Sequence, residues 1–284
     1  MTPTPTVLRL AAFPDGDDPG GGNPAGVVLD ASGLDPGTMQ RVAAEVGYSE
    51  TAFLARDGRE PTAFDVRYFA PAAEVPFCGH ATIAAGVALG PGRSTFRTES
   101  GPVEVAVAEE DGRAVATLTS VAPLVTDVDP ADVTEALDAL GWRAEELDPA
   151  LPVRVAAAGA QHLVLAARTY ERLARLDYDV PRLTTLMQAR AWTTVALVWR
   201  ESPDVFRARN PFPVGGVVED PATGAAAAAL GGYLRVLGLV GGDADLTVLQ
   251  GAELGRPSRI RVRMVAGEAG VRVSGTAVPI PEGS

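Results

Sequence analysis

Glu74-Val75-Pro76-Phe77-Cys78-Gly79-His80-Ala81-Thr82 runs directly into Ile83-Ala84-Ala85-Gly86-Val87-Ala88-Leu89, and the reading of this junction decides the fold. The second stretch is small and apolar on every side, which predicts a helix buried all round. In the other half of the chain Glu219-Asp220-Pro221-Ala222-Thr223-Gly224-Ala225-Ala226-Ala227 repeats the plan: an acidic, proline-containing turn leads into a second small-residue helix. A helix start presents unpaired backbone N–H groups and partial positive charge, so it attracts anions. Two such starts, each beside proton-handling side chains, predict a cleft that holds a carboxylate and moves a proton.

Working outward, short strands with turn signals surround each of these helices. Val7 to Phe13, Val27 to Leu29, Ser49 to Leu54 and Asp65 to Phe69 read as strands, with Asp35-Pro36 opening a helix that Gly47 stops. Val103 to Val107 and Ala114 to Leu118 read as a hairpin, and Pro123 to Pro130 as a linker. Beyond it a helix over Pro130 to Leu140, strands near Val153, His162, Thr193 and Val205, and strands over Leu246–Gln250, Arg259–Met264 and Val271–Val273 are expected. Strands and helices do not alternate regularly, which argues against a doubly wound parallel sheet. The expected fold is α+β: two pseudo-symmetric lobes, each a curved, mostly antiparallel sheet wrapped around a central apolar helix. The lobes are placed at residues 1–125 and 126–284, with the last C-terminal strand a candidate for joining the first.

Composition narrows the function. Acidic residues number 36 against 24 basic ones, for a net charge of −12, which argues against a nucleic-acid partner. The single cysteine forms no internal disulfide and fits a reducing, cytoplasmic setting. Met1 to Thr6 carries neither a basic region nor an apolar core, so no signal peptide is expected, and the apolar run Ala225 to Val240 is too short and broken to span a bilayer. All basic residues are arginine. Without lysine, a pyridoxal-phosphate Schiff base is closed to this chain.

Glu50, in Tyr48-Ser49-Glu50-Thr51-Ala52-Phe53-Leu54, is a carboxylate among apolar strand residues, the type of group that general acid/base catalysis uses; a plain exposed strand residue fits the position equally well. Cys78 lies beside a helix start, where thiolates are stabilised, although a lone cysteine also serves as a small buried hydrophobe. His80 has no histidine at i+4, and His162 is far away in sequence, so no zinc signature is found and no metal is expected. Asp220 suits a helix cap as well as a proton-handling role. Gly20-Gly21-Gly22-Asn23-Pro24-Ala25-Gly26 lacks the lysine of a phosphate loop, and Arg207 and Arg209 read as surface arginines that could also bind a substrate carboxylate.

Gly22-Asn23-Pro24-Ala25-Gly26-Val27-Val28, Ser49-Glu50-Thr51, Pro76-Phe77-Cys78-Gly79-His80-Ala81-Thr82 and Glu219-Asp220-Pro221-Ala222-Thr223-Gly224 occur in that order. Together they resemble the phenazine-biosynthesis (PhzF-like) isomerase family, part of the diaminopimelate epimerase fold superfamily, over roughly Val7 to Val278. The resemblance implies two lobes, each an open barrel around a central helix, with the active site between them, no cofactor, and a homodimer. It implies that Glu50 is the catalytic acid/base, that Gly79 and His80 contact substrate, that Asp220 is the aspartate of the second helix turn, and that Asn23 lies near the substrate carboxylate. Cys78, Thr223, Gly224 and Ala225 complete the expected substrate site. Ala225 stands where a serine often follows the glycine, and Cys78 falls where epimerases and proline racemases carry the first of two thiols. The second thiol is absent, so a symmetric two-thiol racemase is excluded. The expectation is therefore a cofactor-independent isomerase of a small carboxylated metabolite. An epimerase using Cys78 with a carboxylate, or a non-catalytic metabolite-binding protein of the same fold, are the alternatives.

Overall fold

The computed structural model describes residues 5–58 and 60–281. Met1 to Thr4, part of the stretch read above for a leader, lie outside them. The chain divides into two compact units: one runs to Thr119 and resumes at Ser274, and the other is Ser120–Val273.

The first unit contains β1 (Leu8–Ala12), β2 (Asn23–Val28), α1 (Pro36–Val46), β3 (Glu50–Arg56), β4 (Ala63–Phe69), the short β5 (Glu74–Val75), α2 (Gly79–Leu89), β6 (Gly92–Thr98), β7 (Gly101–Glu110) and β8 (Arg113–Thr119). Asp35 caps α1 by accepting from the Thr38 N–H at 3.0 Å, and Gly47 ends it in the left-handed region at φ 72°. Met39, Val42, Ala43 and Val46 recur at i, i+3, i+4 and i+7, and this stripe packs on Val28, Phe53 and Phe69. Helix α1 therefore lies on the sheet. Helix α2 has no such stripe: every residue from His80 to Gly86 is buried, and it packs against β1, β2, β3, β7 and β8. A helix apolar on all sides is stable only where the sheet curves around it, so α2 is the core of its unit.

The second unit contains β9 (Leu124–Thr126), α3 (Pro130–Leu140), β10 (Arg154–Ala157), β11 (Gln161–Ala166), α4 (Tyr170–Ala174), α5 (Val180–Arg190), β12 (Thr194–Arg200), β13 (Val205–Pro211), the short β14 (Glu219–Asp220), α6 (Gly224–Val236), β15 (Ala244–Gln250) and β16 (Ser258–Met264). Helix α6 is its buried core, packed against β9, β10, β11 and β16. Leu163, Leu165, Leu183, Met187 and Val195 form a satellite core under α3 and α5. Pro123 to Pro130 is not the featureless linker expected from its prolines. It holds β9, which pairs antiparallel with β10, with Val125 opposite Ala156. Strand β17 (Arg272–Gly275) carries the chain back into the first unit, where β18 (Ala277–Pro279) pairs with β1.

The two units repeat one topology. In the first, β1–β2 is antiparallel, β2–β3 is parallel across α1, β3–β4 and β4–β5 are antiparallel, β4–β6 is parallel across α2, and β6–β7 is antiparallel. In the second, β10–β11, β11–β12, β12–β13, β13–β14, β13–β15 and β15–β16 follow the same sequence of senses. The sheets are thus mostly antiparallel, with parallel pairs wherever a helix carries the chain across. Registers match residue for residue: Phe53 faces Arg67 as Leu197 faces Arg209, and Phe69 faces Glu74 as Pro211 faces Glu219.

The repeat extends to close packing. A Cβ built on Gly86 of α2 would meet Val105 Cγ1 at 2.8 Å, and one on the equivalent Gly231 of α6 would meet Val262 Cγ1 at 2.9 Å. In both helices glycine lets the sheet come in against the backbone. Gly86→Ala is expected to destabilise by about 1–3 kcal/mol through overpacking, despite alanine's better helix propensity. Urea denaturation checks this, and a stabilised variant would show that the strands yield freely.

Candidate active site

Cys78 stands at the N-cap of α2 with an extended backbone and no side-chain cap of its own. Its carbonyl accepts from the Thr82 N–H at 3.0 Å and the Thr82 hydroxyl at 2.7 Å, and Tyr68 OH meets the Thr82 hydroxyl at 2.6 Å. Burial pushes the Tyr68 phenol up, so it stays protonated and neutral. Its ring also packs edge-on against Phe77, with centroids 5.8 Å apart. Tyr68 and Thr82 therefore fix the turn from Pro76 to His80.

This turn delivers two side chains to a third. His80, itself buried, places Nε2 3.5 Å from Glu50 Oε2 and 3.3 Å from Ser49 Oγ, while Cys78 Sγ lies 3.3 Å from His80 Nδ1. The Glu50 side chain is 15% exposed, so one carboxylate oxygen is held against the imidazole while the group keeps some access. Glu50 opens β3 and stands opposite Ala25 of β2; Asn23, buried, lies two residues before Ala25 on that neighbouring strand. Gly79 is the first residue of α2, between the thiol and the imidazole. The structure thus brings Glu50, Cys78, Gly79 and His80 together. Ser49 was quoted within the Ser49-Glu50-Thr51 motif but given no role, because a serine beside a glutamate carries no chemistry of its own until His80 stands against it.

In the second unit the turn before α6 is held by a residue that sequence reasoning did not select. Gln250, buried at the end of β15, donates from Nε2 to the Asp220 carbonyl at 2.6 Å and to Thr223 Oγ1 at 2.9 Å, and accepts from the Thr223 N–H at 3.1 Å. The Thr223 hydroxyl donates to Asp220 Oδ2 at 2.7 Å. Asp220, Thr223, Gly224 and Ala225 are accordingly grouped at one helix start. Nothing local in the sequence marks Gln250, whose role appears only once β15 ends beside the turn before α6.

The arginines also depart from the sequence reading. Arg209 is buried, with Nε donating to Glu219 Oε1 at 3.0 Å and a guanidinium NH to the Ala174 carbonyl at 2.8 Å. It is a core ion pair, and its guanidinium is committed to protein partners. Arg207 pairs with Glu201 near the surface.

His162, fully buried, is a structural group. Its Nδ1 lies 2.8 Å from Thr194 Oγ1, and that hydroxyl donates to Asn210 Oδ1 at 2.8 Å. The hydroxyl has one proton, so Nδ1–H must donate to it, leaving Nε2 as a lone pair without a partner. Burial pushes this imidazole down to about 3. The folded value lies below the unfolded 6.5, so the unfolded chain binds the extra proton first. Stability is full above pH 6.5 and falls as pH drops from 6.5 towards 3, by up to about 1.4 kcal/mol per unit. Thermal melts between pH 7 and 5 should show this slope, and His162→Gln should flatten it. An unchanged slope would place the titration elsewhere.

Comparison with known proteins gives the class that this architecture carries: an isomerase with an epimerase-like fold. The phenazine biosynthesis-like protein family matches residues 10–283, and the chain belongs to that family. Trans-2,3-dihydro-3-hydroxyanthranilate isomerase of Pseudomonas aeruginosa is 32% identical, over 92% of this chain and 93% of the relative. A Bacillus anthracis phenazine biosynthesis protein of the PhzF family superposes with a TM-score of 0.85 at 25% identity, covering 97% of this chain and 96% of that one. A structure described as a predicted epimerase from P. aeruginosa gives 0.82 at 28% identity, with 97% and 96% covered. Among the described residues no helix is long and apolar enough to cross a membrane.

Proposed function

We propose that this isomerase moves a proton between carbon atoms of a small, unsaturated, carboxylated metabolite, with Glu50 as the acid/base. The observation that carries this reading is the mostly buried Glu50 carboxylate held 3.5 Å from the buried His80 imidazole at the start of α2. Glu50 takes a proton from one carbon; the C–H electron pair becomes a new double bond and the existing double bond shifts along the conjugated system. Glu50 then returns the proton to the far carbon. No oxidant or reductant is consumed. His80 orients the carboxylate, and the backbone N–H of Gly79 offers the substrate carboxylate a donor at a positive helix end. Asn23, Asp220, Thr223, Gly224 and Ala225 are assigned to substrate binding on the family resemblance.

The substrate class follows the relative's name: a cyclic, amino-substituted unsaturated acid such as trans-2,3-dihydro-3-hydroxyanthranilate belongs first in the panel. Deuterium wash-in from heavy water, read by mass spectrometry on that panel, tests the proposal. Exchange at carbon that is lost in Glu50→Gln supports it, and exchange that persists in the variant overturns the assignment of the base.

A second reading is favoured by the 3.3 Å contact between Cys78 Sγ and His80 Nδ1: an epimerase in which the thiol serves one face of a single stereocentre and a carboxylate the other. Cys78→Ser distinguishes the two, since an epimerase loses most of its turnover while the glutamate mechanism loses little.

A further inference from the structure

The group that serves proton transfer in this reading also has the composition of a metal site. Glu50, Cys78 and His80 offer a carboxylate oxygen, a thiol sulfur and an imidazole nitrogen all within 4.8 Å of one another, the one such group of three among the described residues. Nε2 of His80 lies 3.5 Å from Glu50 Oε2 and 3.9 Å from Cys78 Sγ. With zinc bonds of about 2.0–2.3 Å to N, O and S, ligand atoms around a tetrahedral ion stand roughly 3.3–3.6 Å apart. The imidazole is therefore within a few tenths of an ångström of that geometry towards both other donors, and the carboxylate and thiol, within 4.8 Å of each other, need to draw in by up to about 1 Å around an ion.

We propose that this cluster binds one Zn²⁺ per chain and that the bound ion inhibits the enzyme. The thiolate and carboxylate together neutralise the divalent charge, and imidazole with thiolate suits a borderline-soft ion over Mg²⁺ or Ca²⁺. Three protein ligands leave a fourth position for water, so the ion is exchangeable. Binding releases the thiol proton to solvent, and affinity rises with pH until the thiol is ionised.

The internal repeat supplies an independent control. At the equivalent places in the second unit, the N-cap of α6 is Thr223, the next residue but one is Ala225, and β12 opens with Thr194. None of these is a strong zinc ligand. One site per chain is therefore expected, not two. The inhibitory half of the proposal rests on Glu50 being the base, because an ion on its oxygen occupies the lone pair that accepts the proton.

The test uses the full chain with Zn²⁺ or Co²⁺ as the sole added metal. Titration calorimetry should give one Zn²⁺ per chain, and Co²⁺ should produce a near-ultraviolet thiolate-to-metal charge-transfer band. Cys78→Ser should abolish that band and weaken Zn²⁺ by at least about tenfold, as loss of a direct ligand must exceed the effect of an outer partner. His162→Gln should bind as wild type, and thermal melts confirm that each variant is folded. Absence of the charge-transfer band, or wild-type affinity in folded Cys78→Ser, overturns the site. Stoichiometric binding without loss of deuterium exchange leaves the site standing and overturns Glu50 as the base.

Discussion

Glu50→Gln is expected to lower turnover by about 10²- to 10⁴-fold, the usual contribution of a positioned acid/base, equivalent to roughly 3–5 kcal/mol of activation free energy. Glutamine preserves the volume of the side chain and its reach to His80, so secondary structure and melting midpoint should not move. The amide cannot accept a proton from carbon and return it. Glu50→Asp keeps the carboxylate but withdraws it by one methylene, and a displacement of about 1 Å can cost on the order of 100-fold. Asp should therefore fall between the wild type and Gln, with a pH profile of the wild-type form. Turnover of the Gln variant close to wild type would end the assignment. Equal losses in Asp and Gln would point to a positional role.

Arg209→Met should be the most damaging single change to stability. The Arg209 and Glu219 side chains are 8% and 1% exposed, so removing the guanidinium strands a carboxylate in the core. Breaking one side of a buried pair costs about 3–5 kcal/mol, whereas replacing both partners with groups of similar volume is far milder. Arg209→Met with Glu219→Leu should recover most of the loss, and a double-mutant cycle in urea measures the coupling. The repeat provides a matched comparison: Arg67 and Glu74 occupy the same registers in the first unit but are 37% and 32% exposed. Their hydrogen bond raises the arginine and lowers the glutamate, yet an exposed pair contributes only about 0–1 kcal/mol. If Arg67→Met destabilised as much as Arg209→Met, burial would not be the deciding variable.

The same duplication explains which parts of the site were readable. Helices α2 and α6 announced themselves because a run of small apolar residues has no face to give to water. Helix α1 was equally plain, since Asp35-Pro36 and Gly47 are local signals whose physics needs no tertiary partner. Cys78, Gly79 and His80 sit at one helix start and so were found as a group. Strand β6, by contrast, went unread: Gly92 to Thr98 has little alternation, and its pairing with β4 and β7 is made across the fold. Strand β9 hid between prolines because three residues become a strand only when β10 lies beside them. Gln250 had no local signature at all, and Ser49 was visible only as part of the Ser49-Glu50-Thr51 motif, with nothing to show that it would reach His80.

By itself the amino-acid sequence determined the two buried helices, the cap and stop that bound α1, and the exclusion of lysine chemistry. These are properties of composition and of spacing within one or two turns, and they survive without knowledge of long-range pairing. The tertiary structure alone decided that Arg209 is a core ion pair, that His162 is a neutral buried strut, and that Glu50 stands 3.5 Å from His80 and within 4.8 Å of Cys78. In each case a polar side chain's role depends on whether its environment removes it from water and what stands within reach once it is there. That is set by strand register between residues distant in sequence.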